Sequence, residues 1–177
     1  MDMWRDIFVP IWMLWAILAA VAAQRLSELV IARRNTRRLL ARGAQEVGGR
    51  HYPIIIACHA SWMVALAFWV WRYQPALNAA FLVVYLLLQV ARVWTMASLG
   101  RYWTTRIITV ADAPLVRRGP YRYLRHPNYV IVVLEVIVLP LVFGAWPLAL
   151  VFSLLNAVVL MVRLRVENAV LAERATV

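Results

Sequence analysis

Five apolar runs alternate with polar connections along the chain, and the alternation predicts a helical membrane protein. The runs cover about residues 8–30, 53–71, 76–99, 130–143 and 148–162. The first three are long enough for helices that cross a hydrocarbon core of about 30 Å. The fourth and fifth are short for a full crossing, so both are expected to continue into their flanks. Only Gly144-Ala145-Trp146-Pro147 separates them, which forces an antiparallel helical hairpin. Arg72-Tyr73-Gln74-Pro75 makes a similarly short turn between the second and third runs. Gly100 to Tyr129 is the long polar connection. The expected fold is all-α, a single domain over residues 1–177. Spans one to three occupy 1–99, and residues 100–177 carry the last two spans and a candidate cytoplasmic pocket.

Polar residues interrupt the runs at helical spacing. Gln24 and Glu28 share a face of the first span, with Arg25 in reach of Glu28. The group is either a local ion pair or the lining of a site. Gln89 and Arg92 share a face of the third span. A charge inside a span points at protein or water and needs a partner, unless the side chain snorkels to the interface. Glu135 in the fourth span is a candidate partner for Arg92 or Arg163. In the second span His59 and Trp62 share a face, where a lone histidine is most simply a packing residue. After the first span, Arg33-Arg34-Asn35-Thr36-Arg37-Arg38 reads as a basic helical extension at the lipid surface, ended by a loop at Gly43, Gly48 and Gly49.

Composition narrows the class. The 177 residues are 64% hydrophobic and carry a formal net charge of +11, every basic residue being arginine. Those arginines sit beside apolar runs, so anionic lipid headgroups rather than nucleic acid are the expected partner. Arg33, Arg34, Arg37, Arg38, Arg42 and Arg50 follow span one; Arg101, Arg106, Arg117, Arg118, Arg122 and Arg125 follow span three. The positive-inside rule then puts the N-terminus outside and the C-terminus in the cytoplasm. Trp4, Trp71, Trp103 and Trp146 fall near span ends, as an interfacial belt requires. The first run reads as a retained span rather than a cleaved signal. Cys58 is the one cysteine, which excludes an internal disulfide. His51, His59 and His126 lack metal-ligand spacing, so no metal is expected.

The densest chemistry lies in Arg117-Arg118-Gly119-Pro120-Tyr121-Arg122-Tyr123-Leu124-Arg125-His126-Pro127-Asn128-Tyr129. Gly119-Pro120 signals a turn, and Pro127 suits the first position of the next helix. His126 and Arg125 are thereby delivered to a helix N-terminus, which favours anions. On the fifth span Asn156, Arg163 and Glu167 share a face. The hairpin should bring that face near Tyr121, Arg125, His126 and Tyr129. Anion donors, a carboxylate and aromatic faces together suit a zwitterion with an extra cation and a flat ring, and S-adenosylmethionine is such a molecule.

Arg125-His126-Pro127-Asn128-Tyr129, followed by Arg163-x-x-x-Glu167-Asn168-x-x-Leu171, resembles the isoprenylcysteine carboxyl methyltransferase family. The first half, with Gln24-Arg25, Glu28, Asn35 and His51-Tyr52-Pro53, is similar to its short bacterial branch. Some members of that branch methylate alkylpyrone-type lipids made by polyketide synthases. The resemblance implies that Tyr121, Leu124, Arg125, His126, Pro127, Tyr129, Glu167 and Asn168 bind S-adenosylmethionine. It implies that Arg163 and Glu167 are catalytic, and that a lipophilic acceptor entering from the bilayer meets Arg163, with Arg92, Gln89 and Glu28 as further acceptor-binding candidates. Two departures stand out: Asn168 replaces a usual second Glu, and Val130 follows Tyr129 where many members have Gly.

Other readings remain at this level. A phospholipid-amine N-methyltransferase would use the same donor. A sterol-reductase-like enzyme would use a nicotinamide dinucleotide, although no Gly-rich fingerprint is present. A small transporter or assembly protein would suit the intramembrane charges, but a transporter needs polar residues through the full depth.

Overall fold

The structure is a computed structural model that describes residues 7–47, 49, 52–109 and 116–175, with side chains as far as Asn168. Trp4, Gly48, Arg50, His51 and the Leu171 side chain lie outside that description. Each apolar run forms a helix: α1 is Ile11–Leu40, α2 Tyr52–Tyr73, α3 Ala79–Leu99, α4 Pro127–Val142 and α5 Trp146–Ala175. Four of them are long and apolar enough to cross a membrane, and α4 is shorter. The protein is an all-α integral membrane protein.

Helix α1 carries its basic extension without a break, and its 30 residues reach about 45 Å. Helix α5 likewise extends past its apolar run, as expected of a short span. Helix α4 does not. Its 16 residues reach only about 24 Å, which corrects the expectation that both short runs extend. Pro127 has no N–H to continue the helix backwards, and His126 stays out of the helical region at φ −130° and ψ 61°. At the other end Gly144, at φ +61°, turns the chain, and Ala145 N–H donates to Pro140 O at 2.8 Å. That closes the α4–α5 hairpin.

Each helix has one end in each of two layers. At one end, Ile7 pairs with Leu77. Asn78 N–H donates to Val142 O at 2.9 Å, and Trp69 Nε1 donates to Phe143 O at 3.0 Å. At the opposite end, the connections after α1 and α3 form a two-stranded antiparallel ribbon of β1 (Gln45–Val47) and β2 (Ile107–Thr109). The two arginine-rich connections therefore share one end. The ribbon is an addition to the all-helical expectation; the β-branched run Ile107-Ile108-Thr109 was its signal.

The helices bury Leu14, Leu18, Val21, Trp62, Leu66, Leu139, Val142 and Phe143 in one apolar core. Large apolar side chains such as Val64, Leu87, Val90 and Leu154 face outward. An apolar rim around polar interior groups is the pattern a lipid solvent demands. Trp71 and Trp146 are exposed near helix ends, as expected of interfacial tryptophans. Trp103 is not: only 4% of it is exposed, which removes it from the expected belt. Asn35 Nδ2 draws its carbonyl into α1 at 2.9 Å, and the indole follows.

One glycine fixes how the polar connection meets α3. Gly119 sits at φ +57°, and a Cβ there would land on Ser98 Oγ and within 3.3 Å of Trp94 Nε1. Beside it, Arg118 Nε donates to Ser98 O at 2.7 Å, satisfying a carbonyl at the end of α3. Gly119→Ala combines positive-φ strain with a clash against a packed helix. It is expected to cost about 2 kcal/mol or more, read as a lower thermal unfolding midpoint in detergent.

Candidate active site at the polar end of the bundle

The start of α4 and the end of α5 meet. A 3-10 turn over Gly119–Arg122, with Pro120 buried, leads into the non-helical His126. Pro127 then opens α4, so His126 and Tyr129 project from its first turn. Their rings stack, with centroids 5.3 Å apart and planes 17° from parallel. From α5, Glu167 accepts the Tyr129 hydroxyl through Oε2, and its Oε1 lies 3.5 Å from His126 Nδ1. Asn168 Oδ1 sits 3.1 Å from His126 Nε2. Arg163, one turn earlier, donates from Nε to the Tyr129 hydroxyl at 2.6 Å and lies over its ring at 5.4 Å.

His126, Tyr129, Arg163, Glu167 and Asn168 are thus brought into one cluster. Tyr121 is partly buried beside it, and burial, then the Glu167 charge, pushes its hydroxyl well above the ordinary tyrosine value. Pro127 is buried under the cluster as the helix start. Leu124 and Arg125 are exposed and take no part in its contacts among the described residues. The Asn168 departure is accommodated geometrically: its amide oxygen is an acceptor for the imidazole, as a carboxylate would be. Asn156 lies buried on the same α5 face as Arg163.

His126 carries the pH dependence. Its hydrogen bond to Glu167 and that residue's charge raise the imidazole above the ordinary value of 6.5, against the opposing effect of burial. Protonated, the ring donates from both nitrogens, to Glu167 and Asn168. A raised folded value means the stabilisation is complete below about pH 6.5 and lost as pH rises through the higher folded value. Thermal unfolding followed between about pH 6 and pH 9 is expected to show falling stability, and His126→Gln is expected to flatten the profile.

A second polar group lies deeper in the bundle. Arg92 is 7% exposed and clamps Glu28 through Nε and Nη2, both at 2.6 Å, while Nη1 reaches Glu135 at 2.8 Å. Arg25 joins the same two carboxylates at 3.2 and 2.9 Å. Gln24 bonds Glu28 and Gln89, and Gln89 bonds Glu135. Arg92 therefore has buried partners instead of snorkelling, and the Gln24-Arg25-Glu28 face is more than a local pair. Glu135 is neutralised by Arg92 and Arg25, not by Arg163, which corrects that alternative. The acceptor-binding candidates Arg92, Gln89 and Glu28 are brought together, but with one another and with Glu135 rather than with the His126 cluster.

The ribbon contributes residues that no local spacing in the sequence places near Arg163. Arg163 also borders a shallow surface groove shared with Tyr52, Thr105 and Arg106. Tyr52 was visible only as part of a resemblance, and Arg106 only as a loop charge.

Comparison with known proteins follows the same helices. The model of the isoprenylcysteine carboxyl methyltransferase (ICMT) family matches residues 80–173. The chain is 38% identical over 164 residues to the uncharacterized protein YpbQ of Bacillus subtilis, covering 91% of this chain and 98% of that one. It is 25% identical over 158 residues to an uncharacterized protein of Haemophilus influenzae, covering 87% and 92%. No solved structure matches it. The family match takes in nearly all of α3, the Gly119–Arg122 turn, α4 and the part of α5 that carries Arg163 and Glu167. Spanning more than half of the chain and every residue of the cluster, the match establishes that this protein belongs to the isoprenylcysteine carboxyl methyltransferase family, a family of membrane methyltransferases.

Proposed function

We propose that the protein transfers a methyl group from S-adenosylmethionine to an oxygen of a lipophilic acceptor that enters from the bilayer. The observation that carries this reading is the contact of His126 and Tyr129 with Arg163 and Glu167. The donor set fits the cofactor. The Glu167 carboxylate is an acceptor for an ammonium group. Asn128 Oδ1 is buried with no hydrogen-bond partner among the described residues, so it has an acceptor to spare for an N–H.

When bound, S-adenosylmethionine supplies an electrophilic methyl group for in-line displacement. The residues of this chain position and shield. Tyr129 and His126 hold Glu167 in one orientation. Arg163, anchored through Nε, keeps its two Nη groups to orient an acceptor oxygen. A carboxylate or acidic enol is already nucleophilic, so proximity and exclusion of water carry the rate without a strong general base. The reading includes an inner-membrane location, with the cluster facing the cytoplasm and the N-terminus outside.

The test is incubation of purified protein with radiolabelled methyl donor and a lipid extract. Label on a lipid oxygen, identified by mass spectrometry, is the expected result. Label on an amine, or binding of a nicotinamide dinucleotide in place of S-adenosylmethionine by calorimetry, would replace the reading.

A further inference from the structure

His126 stands between two acceptors that differ in charge. Its Nδ1 faces Glu167 Oε1 at 3.5 Å, and its Nε2 faces Asn168 Oδ1 at 3.1 Å. A neutral imidazole carries one N–H and serves one of these acceptors; the imidazolium serves both. The shorter contact is to the neutral amide. From α4, Tyr129 stacks on the ring. Among the charged groups around it, Glu167 comes from α5, Arg125 precedes it in the chain, and Arg163 of α5 reaches the Tyr129 hydroxyl. Tyr121 lies beside the cluster in the preceding connection, and Glu46 and Arg106 pair with each other next to Arg163.

Glu167 is therefore shared. Its Oε2 takes the Tyr129 hydroxyl, and its Oε1 faces His126. A ligand ammonium that approaches Oε1 meets a cation already there. Two cations against one carboxylate are unfavourable in a partly buried site, and the imidazolium is the one that gives up its proton near neutral pH. Loss of the proton from Nδ1 leaves Nε2–H donating to Asn168 Oδ1, so the neutral ring keeps a partner. An amide suits that task in either orientation, since its oxygen accepts from Nε2–H and its NH2 donates to a bare nitrogen. A carboxylate at 168 would only accept, and would hold the charge on the ring.

We infer that an ammonium bound at Glu167 expels the Nδ1 proton of His126 to solvent, and that Asn168 is the positioning residue that keeps the neutral ring in place. The inference rests on the proposed function for the identity of the ligand, since S-adenosylmethionine and its product S-adenosylhomocysteine both carry such an ammonium. The His126 side chain is 17% exposed, so water has access to the proton. Donor affinity is thereby coupled to pH.

The experiment is calorimetric titration of the full-length protein in lipid nanodiscs at about pH 6.5, where both ligands keep a charged ammonium, in two buffers of different ionisation enthalpy. The dependence of the heat on the buffer counts the protons released. Wild type is expected to release about half a proton or more with either ligand. Asn168→Asp, an isosteric change at an exposed position, should still bind both and release less than about a fifth of a proton. His126→Gln should release none. Binding by wild type without release, equal release from Asn168→Asp, or release that survives His126→Gln would overturn the inference and leave the proposed function standing. Release by the donor and not by the product would trace it to the sulfonium and overturn the inference as well. Binding of neither ligand would defeat the proposed function instead. The role of Asn168 is then decided in the ligand-free protein. The His126 imidazole, followed by NMR, should titrate at higher pH in Asn168→Asp than in wild type, and an identical titration would overturn that role.

Discussion

Arg163→Ala is expected to lower methyl transfer by about 100-fold or more while leaving the fold intact, the scale seen when one oriented donor to a reacting oxygen is removed. Arg163 makes one hydrogen bond to the site, Nε to the Tyr129 hydroxyl at 2.6 Å, beside a long 4.0 Å ion pair to Glu167 Oε2. The Tyr129–Glu167 contact and the α4–α5 hairpin do not depend on it. The loss should therefore fall on turnover, with donor binding and the unfolding midpoint close to wild type. Arg163→Lys keeps the charge but loses the planar fork, so it should recover only a small part of the rate. Initial rates with labelled donor, alongside circular dichroism melts, are the measurement. A near-normal rate in Arg163→Ala would take the residue out of the site.

Arg92→Leu is expected to destabilise the protein by about 3–5 kcal/mol, the cost of leaving a buried charge without its partner. Glu28 and Glu135 are 7% and 3% exposed at their side chains, and in the variant Arg25 alone would face both carboxylates. Charge balance, more than bond count, sets the size of the loss. The double variant Arg92→Leu/Glu28→Leu removes one charge of each sign and keeps the Arg25–Glu135 pair at 2.9 Å. It should be more stable than Arg92→Leu alone, which unfolding in mixed micelles can read directly. If the double variant is the less stable of the two, the hydrogen bonds matter more than the neutrality. If Glu135→Gln shifts neither stability nor turnover, the Glu135 arm carries little weight.

These two predictions separate two polar layers with different tasks. The cluster of His126, Tyr129, Arg163, Glu167 and Asn168 is partly open, and Arg163 keeps unbonded donors that chemistry can use. The layer of Arg25, Glu28, Arg92 and Glu135 is closed, and each guanidinium nitrogen of Arg92 is already engaged. A closed neutral network inside an apolar rim locks α1, α3 and α4 together, and so holds the first turn of α4 where α5 can meet it.

Much of this was determined by the sequence alone, because a bilayer leaves few solutions. Apolar length specifies helices, and arginine placement puts the two long connections at one end. A tight turn at Gly144 forces the α4–α5 hairpin, and helical periodicity puts Asn156, Arg163 and Glu167 on one face. Pro127 marked the start of α4. Three things were decided only by tertiary structure. Arg92 turned inward to Glu28 and Glu135, because its partners come from helices 64 and 43 residues away and no local spacing announces them. Trp103 left the interface because a buried Asn35 captured its carbonyl. The ribbon brought Tyr52, Thr105 and Arg106 beside Arg163, since pairing between distant short segments is written in neither segment by itself.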